Sequence, residues 1–220
     1  MDRIPEPEVM NEALQVAAYA KADFSEPNER FIELCETRFP EAVLGRRVVD
    51  LGCGPGDLTR RFVQAYRNVH VTAIDAADRM LAWAAEATRA AGLEDRITYR
   101  LCRIPDPRLG KEQFDAVISN SLLHHLPEPL CLWQTVAEVG RPAAAVFVMD
   151  LVRPSSPAAA MAIVDQYAAD EPEILREDFF RSLCAAYRVE EIENQLERAG
   201  LRQLRVAMVS DRHWVVSGRL

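Results

Sequence analysis

The sequence predicts an α/β protein built on a doubly wound, mostly parallel sheet with helices on both faces. Three observations carry this expectation. Short apolar runs with strand character alternate with helix-forming segments along most of the chain. The first run, Val48–Leu51, ends in the turn Gly52-Cys53-Gly54-Pro55-Gly56 and passes directly into a helix-forming segment that reaches about Tyr66. A strand, a glycine-rich turn and a helix in that order open a nucleotide-binding fold. The next run, Val69–Ile74, closes on an acid, Asp75.

Composition bounds the reading. The 220 residues suit one domain with a substantial core, and the hydrophobic and charged fractions are those of an ordinary globular chain. A formal net charge of −8, with no run of Lys or Arg longer than a pair, argues against a nucleic-acid duplex as the main partner. The five cysteines are an odd number and include no Cys-x-x-Cys, so neither a disulfide framework nor a zinc site is implied. No apolar leader and no membrane-length apolar span is visible, which makes the cytoplasm the default compartment and excludes a membrane partner. Oligomeric state is not readable from the sequence.

The turn at Gly52–Gly56 carries the chemistry. Its spacing is Gly-x-Gly-x-Gly, and position 57, where dinucleotide binders carry their last glycine, is Asp. A carboxylate there would face a pyrophosphate at a helix N-terminus, a place that favours anions. A cationic ligand fits better: Asp50 can pair with an ammonium group, and a sulfonium nearby is not repelled. The string Val48-Val49-Asp50-Leu51-Gly52-Cys53-Gly54-Pro55-Gly56 resembles the first motif of the class I S-adenosylmethionine-dependent methyltransferases. The resemblance covers roughly residues 45–220. It implies a three-layer α/β/α Rossmann-like methyltransferase fold, with a seven-stranded mostly parallel sheet, an antiparallel last strand and a helical lid. It also implies S-adenosylmethionine as cofactor, S-adenosylhomocysteine as product, and a cofactor cradle of Asp50, Gly52, Cys53, Gly54, Pro55, Gly56 and Leu58.

Taken in order, residues 1–8 are rich in Pro and Glu and are expected to fray. Val9 to Ala20 is helix-forming. Phe31 to Phe39 continues with Phe31, Leu34, Cys35 and Arg38 at helical spacing, behind Ser25 as N-cap and Pro27 in the first turn. In relatives that act on small molecules this region, residues 1–44, packs over the cofactor and covers part of the substrate cavity. The resemblance therefore nominates Tyr19 and Asn28 as lining residues.

Residues 45–153 form the expected cofactor-binding core. Asp75, at the end of the second strand, is placed to accept both ribose hydroxyls of a nucleoside, with charge-assisted bonds. Ala76 follows it, and Met80 lies one turn into the next helix, Ala76 to Ala91, which stops at Gly92. The third strand is Ile97 to Leu101. Relatives usually follow it with an acid for the adenine amino group, whereas this chain reads Cys102-Arg103-Ile104-Pro105-Asp106. Adenine is then held either by backbone groups of Arg103 and Ile104 or by Asp106 reaching in from the loop. Cys102 is expected to be buried rather than nucleophilic.

The fourth strand, Phe114 to Asn120, runs into Ser121-Leu122-Leu123-His124-His125-Leu126-Pro127. By resemblance, Asn120 and Ser121 present the strand end to the methionine amino group. Ligands in open α/β sheets sit beyond the carboxyl ends of the strands, so His124 and His125 fall on the chemical side, as candidate general bases or acceptor contacts. A His-His pair without nearby further ligands is not read as a metal motif. The fifth strand, Ala143 to Met149, closes near Asp150 and Arg153, two acceptor-pocket candidates whose alternative is a surface ion pair.

Residues 154–187 depart from a plain alternating plan. Pro157 to Ala169 and Ile174 to Ala186 are helical around the break Asp170-Glu171-Pro172-Glu173, and they read as a lid that excludes water. Residues 188–220 supply the last helix, Glu190 to Ala199, and a hairpin of Leu201 to Ser210 and Trp214 to Leu220. Its turn, Asp211-Arg212-His213, offers Arg212 as a carboxylate binder and His213 beside it.

The expected reaction is methyl transfer to an N, O or S nucleophile of a small-molecule metabolite, by in-line displacement in an enclosed pocket. Among relatives, the chain looks most like bacterial enzymes that act on quinone precursors and other metabolites. Two other classes remain open at this point. A non-catalytic cofactor-binding or regulatory protein could keep the same fold. A nucleotide-dependent oxidoreductase is disfavoured by Asp57.

Overall fold

The computed structural model describes residues 1–6 and 9–220. Along the chain lie α1 (Ala13–Lys21), α2 (Ser25–Arg38), α3 (Glu41–Leu44), β1 (Arg47–Leu51), α4 (Asp57–Ala65), β2 (His70–Asp75), α5 (Asp78–Ala90), β3 (Ile97–Leu101), β4 (Phe114–Asn120), α6 (Leu130–Val139) and β5 (Gly140–Leu151). Then follow α7 (Pro157–Tyr167), α8 (Glu173–Ala185), α9 (Val189–Arg198), β6 (Arg205–Met208) and β7 (His213–Arg219), with short 3-10 turns at Pro107–Leu109 and Leu123–His125.

The strands form one seven-stranded sheet in the order β3-β2-β1-β4-β5-β7-β6. The first five pair in parallel, and β7 runs antiparallel to both β5 and β6. This is the expected architecture. Its central strands are apolar on both faces, as a sheet covered on both sides requires. Val49 and Leu51 of β1 join one core with Trp133, Val136, Ile192 and Leu196 of α6 and α9. Val48 joins the other, with Phe31 of α2, Phe62 of α4 and Tyr66 just past it, where Phe31 meets Phe147 edge-on at 4.7 Å. A third, smaller cluster lies inside the lid, between α7 and α8, and a fourth seats Val16 of α1 on Ala77 and Met80.

Several boundaries differ from expectation, each for a local reason. Helix α1 begins at Ala13 rather than Val9, because Glu12 is extended and Val9 and Met10 pack on the cluster of Val16, Ala77 and Met80. Ser25 is the first residue of α2 and not its N-cap; Asp23 accepts both its N–H, at 2.9 Å, and its hydroxyl. Helix α5 starts at Asp78 because the Asp75 carboxylate takes the Ala77 N–H at 2.8 Å and holds the chain extended there. Strand β5 starts at Gly140, before the expected Ala143, and its pairing with β4 shifts register between Phe114 and Ala116.

The largest correction concerns the N-terminus. Pro7 and Glu8, part of the stretch expected to fray, lie outside the described residues. Residues 1–6 are docked. The Met1 amine donates to the Ser155 carbonyl at 2.7 Å, and the Ile4 N–H to the Cys184 carbonyl at 3.0 Å. Arg3 donates to the carbonyls of Ala185 at 2.5 Å and His124 at 2.8 Å, with its guanidinium 4.3 Å from the Tyr187 ring centre. The segment is a strap between the lid and the turn after β4.

One polar pair pins α6 to α9. The Trp133 indole donates to Gln195 Oε1 at 2.9 Å, and both side chains are buried. Gln195→Ala leaves that N–H without its acceptor and should cost about 1–3 kcal/mol of stability, read as a lower midpoint in urea unfolding. An unchanged midpoint would show that the pair contributes nothing.

Candidate cofactor and acceptor site

A cavity of about 410 Å³ opens beyond the carboxyl ends of β1, β2, β4 and β5, roofed by residues of α1, α2, α7 and α8. That size suits a drug-sized or nucleoside-sized ligand.

Its floor is the glycine-rich turn. The N–H groups of Gly52 and Cys53 both donate to the Ile74 carbonyl at 2.9 Å, and the Gly54 N–H donates to Asp75 Oδ2 at 2.8 Å. Gly52 has φ +76°, and a Cβ there would stand 2.8 Å from Leu122, so the position admits no side chain. Gly54, at φ +53°, faces open space: a Cβ would meet nothing within 4 Å. Pro55, Leu58 and Cys53 complete this wall. Burial pushes the Cys53 thiol well up, which makes it a packing group.

Two carboxyl groups flank the turn. Asp50 is buried, accepts from Thr59 Oγ1 at 2.6 Å, and is pushed up to about 7 by desolvation, with the Asp75 charge adding to the rise and the Thr59 bond opposing it. Asp75 is raised too, mainly by burial, against the lowering effect of the N–H groups of Ala77, Gly54 and Ala76. Each Asp75 oxygen takes one backbone N–H and keeps a lone pair for the cavity. Across from them the buried Asn120 Oδ1 accepts no hydrogen bond among the described residues, and Ser121, at φ +55°, donates its N–H to the Met149 carbonyl at 3.0 Å. An open glycine, two carboxyls with no paired cation among the described residues and an amide oxygen without a donor among them fit a ligand that carries hydroxyl and ammonium donors.

The other expected cofactor contacts divide. Tyr19, Ala76, Met80, Arg103 and Ile104 all line the cavity, and the Tyr19 phenol is pushed up to about 12 by burial and by Asp75. Asn28 also lines it, but its amide is committed: Nδ2 donates to Asp57 Oδ2 at 2.8 Å, where Arg61 Nε also arrives at 2.9 Å. Asp57 thus ties α2 to α4. Asp106 does not reach in; it accepts from the Arg108 guanidinium on the outer side of the loop, at 2.9 and 3.0 Å, and the arginine lowers its pKa. Cys102 borders the cavity with its thiol raised to about 11 by burial.

On the acceptor side, His124 and His125 line the cavity with rings 4.3 Å apart. Asp150 lies behind His124 and not in the cavity wall. Its Oδ1 is 2.5 Å from His124 Nδ1, and it takes the Leu151 N–H at 2.7 Å. Burial opposes charge on both partners, but their mutual attraction outweighs it. Asp150 is held below the usual carboxylate range and His124 is raised above 6.5. An ionised Asp150 accepts only, so when the His124 ring is neutral its one proton sits on Nδ1 and Nε2 keeps its lone pair.

Arg153 is not brought to the cavity. Its guanidinium donates to the carbonyls of Ala186 at 3.0 Å and Met1 at 3.2 Å and to Glu191 at 2.8 Å, joining the lid to α9. Arg212 and His213 do line it. Arg212 lies 3.4 Å from the Tyr167 ring centre and pairs with Glu26 at 3.2 Å and Asp211 at 3.3 Å, so it is a crossbar between α2, α7 and its own turn. His213 is lowered to about 4 by burial and by Arg212, and is therefore neutral near pH 7; its Nδ1 is 3.1 Å from Ser210 Oγ.

Glu6, Glu26 and Asp178 were not among the expected site residues. Glu6 Oε1 lies 3.4 Å from His124 Nε2 and 3.3 Å from His125 Nδ1, while Glu26 and Asp178 line the cavity from α2 and α8. The only signal in the sequence was that they belong to segments expected to cover the pocket; helical periodicity does not say which face of a cover meets the ligand.

Residues 48–143 match the family described as a methyltransferase domain. A ubiquinone biosynthesis O-methyltransferase of Xanthomonas campestris is 36% identical over 129 residues, covering 56% of this chain and 50% of that protein. One from Xylella fastidiosa is 35% identical over 114 residues, 50% of this chain and 43% of its own length. The chain spans about half the length of the curated relatives it matches. Among solved structures, a SAM-dependent methyltransferase from Aquifex aeolicus has a TM-score of 0.61 at 19% identity, over 90% of this chain and 99% of its own, which shows the same fold. Among the described residues, no helix is long and apolar enough to cross a membrane.

The Asp50 environment gives a pH dependence with a definite sign. The folded state holds its proton up to about 7, against 3.8 for the ordinary group. The unfolded chain therefore ionises first, and stability falls between those two values and is level above the higher one. Unfolding free energies of the ligand-free protein, taken across that range, should show this fall relative to Asp50→Asn. Parallel curves for the two proteins would remove Asp50 as its source.

Proposed function

We propose that this chain, a class I S-adenosylmethionine-dependent methyltransferase, methylates an oxygen on a small hydroxylated molecule, of phenolic character, held in the cavity beneath α7 and α8. S-adenosylmethionine supplies an electrophilic methyl group on a sulfonium and leaves as S-adenosylhomocysteine. The observation that carries the oxygen assignment is the buried His124–Asp150 pair. A neutral amine already presents a lone pair, whereas a hydroxyl needs a base to expose one. The match to O-methyltransferases of ubiquinone biosynthesis supports the same acceptor class.

In this reading Asp75 accepts the ribose hydroxyls, and Asp50 with Asn120 Oδ1 accepts from the ammonium group. Gly52 and Gly54 leave the floor beneath the ligand clear of side chains, whereas Gly56, expected there, lies outside the cavity lining against Tyr99 and Ala84. Met80 and Ile104 pack beside the base, with Arg103 and backbone groups of that loop in place of the usual acid. His124 takes the acceptor proton at Nε2, and Asp150 stabilises the imidazolium that forms. Apolar lid residues such as Leu175 and Phe179 keep water from competing for the methyl group. Alignment of the two reactants in such a pocket supplies on the order of 7–11 kcal/mol of the barrier, and the base contributes about 10²–10⁴-fold in rate. Arg212 and His213 bound the acceptor end.

Calorimetry should show S-adenosylhomocysteine binding to the wild type and NAD not binding. Asp75→Ala should weaken that binding about 10–100-fold, as expected for losing hydrogen bonds to a charged acceptor. Folded protein with no affinity for S-adenosylhomocysteine would refute the assignment. With a panel of phenolic acceptors, His124→Ala should lower kcat/KM by about 10²–10⁴-fold and leave cofactor-product affinity unchanged. The acid limb of the wild-type profile should lie above pH 6.5 and move down in Asp150→Asn. Binding without transfer to any acceptor would instead favour a non-catalytic protein on this fold.

A further inference from the structure

We infer that Glu6, His124 and His125 form a binding site for one divalent transition-metal ion of the zinc class, set between the N-terminal strap and the turn after β4. The inference goes beyond methyl transfer and rests on an arrangement of donors that the acceptor chemistry does not require.

The three ligand atoms lie within 4.8 Å of one another. Glu6 Oε1 stands 3.4 Å from His124 Nε2 and 3.3 Å from His125 Nδ1. Those separations are long for charge-assisted N–H···O bonds, which close to about 2.7–2.9 Å. They do match the edge of a tetrahedron whose bonds to nitrogen and oxygen are about 2.0–2.2 Å long, roughly 3.3–3.5 Å. Imidazole and carboxylate donors suit zinc and its neighbours better than magnesium or calcium, which take oxygen ligands.

The surroundings prepare each ligand. Glu6 Oε2 accepts from Ser182 Oγ at 3.5 Å, which leaves Oε1, buried and accepting no hydrogen bond among the described residues, turned toward both rings. Asp150 holds the proton of His124 on Nδ1 and so keeps Nε2 available as a donor atom. A carboxylate behind a ligating histidine is the usual outer partner of such sites. Glu6 and Asp150 together bring two negative charges to the histidine pair, while the nearby Arg3 guanidinium is engaged on backbone carbonyls. Two ligands are adjacent in sequence and the third is more than a hundred residues away, so the ion would also fasten the strap to the core. It would occupy the Nε2 lone pair of His124, and on the base assignment above the loaded form and the base-competent form exclude each other.

The test uses the full chain without a purification tag, stripped by a chelator and titrated with Co²⁺. One Co²⁺ per chain should bind with the intense visible spectrum of a tetrahedral site, and Zn²⁺ should displace it. Glu6→Gln and His125→Ala should each weaken binding at least about tenfold, and Asp150→Asn by about 10–100-fold. His70→Ala, at an exposed histidine at the start of β2, should leave it unchanged. Circular dichroism on every variant confirms folding. A folded wild type that gives no such spectrum, or a spectrum that survives both Glu6→Gln and His125→Ala, overturns the site. S-adenosylhomocysteine binding is measured in parallel. If it persists without Co²⁺ binding, only the metal site fails; if Co²⁺ binds without it, only the methyltransferase reading fails.

Discussion

The cavity depends on how the glycine-rich turn is tied to the end of β2. One carbonyl, that of Ile74, receives two consecutive N–H groups, and the next side chain, Asp75, receives a third. Those bonds fold the turn back onto the sheet, hold Gly54 open and leave an acceptor carboxylate at its edge. The β1–turn–α4 segment and the β2–α5 segment are thus joined by the same group that faces the ligand. Removing the Asp75 carboxylate therefore takes away an acceptor and also loosens the floor.

The cavity is electrically divided. On one side, Asp50 is buried and Asp75 half-buried, neither has a partner cation among the described residues, and both are shifted toward the protonated form. On the acceptor side, His124 and Asp150 stabilise each other's charged forms. The first pair lacks something that a cationic ligand brings. The second is electrostatically complete as it stands. The two pairs thus have opposite electrostatic needs, a few strands apart on one sheet edge.

How much of this was legible depended on the range of the interaction that encodes it. The strand–turn–helix at Val48–Ala65 and the acid at 75 are local: glycine and aspartate at fixed spacing dictate backbone shape, so the turn and its acid were readable. His124 was readable as a residue at a strand end, but its partner Asp150 stands 26 positions away and was expected in the pocket rather than behind it. Arg153 looked equally suited to the pocket, yet its position one turn of chain beyond the strand directs it to the carbonyls of Met1 and Ala186. Glu6 was invisible for a different reason. Two prolines and two glutamates in eight residues resemble a solvated tail, and the contacts that dock the strap are mainly to backbone carbonyls, which carry no sequence signature.

Arg212 joins three segments that are distant in sequence: its own turn, Tyr167 at the end of α7, and Glu26 in α2. Its guanidinium thus holds a ring and the carboxylates of Glu26 and Asp211 at once. The Glu26 side chain is 76% exposed, so dissolved ions screen that half of the crossbar, whereas stacking on Tyr167 is far less sensitive to them. His124 and Asp150 lie beyond the reach of such ions. Ionic strength therefore loosens the Arg212–Glu26 pair and leaves the buried His124–Asp150 pair little changed, so one wall of the cavity answers to the surrounding solution and another does not.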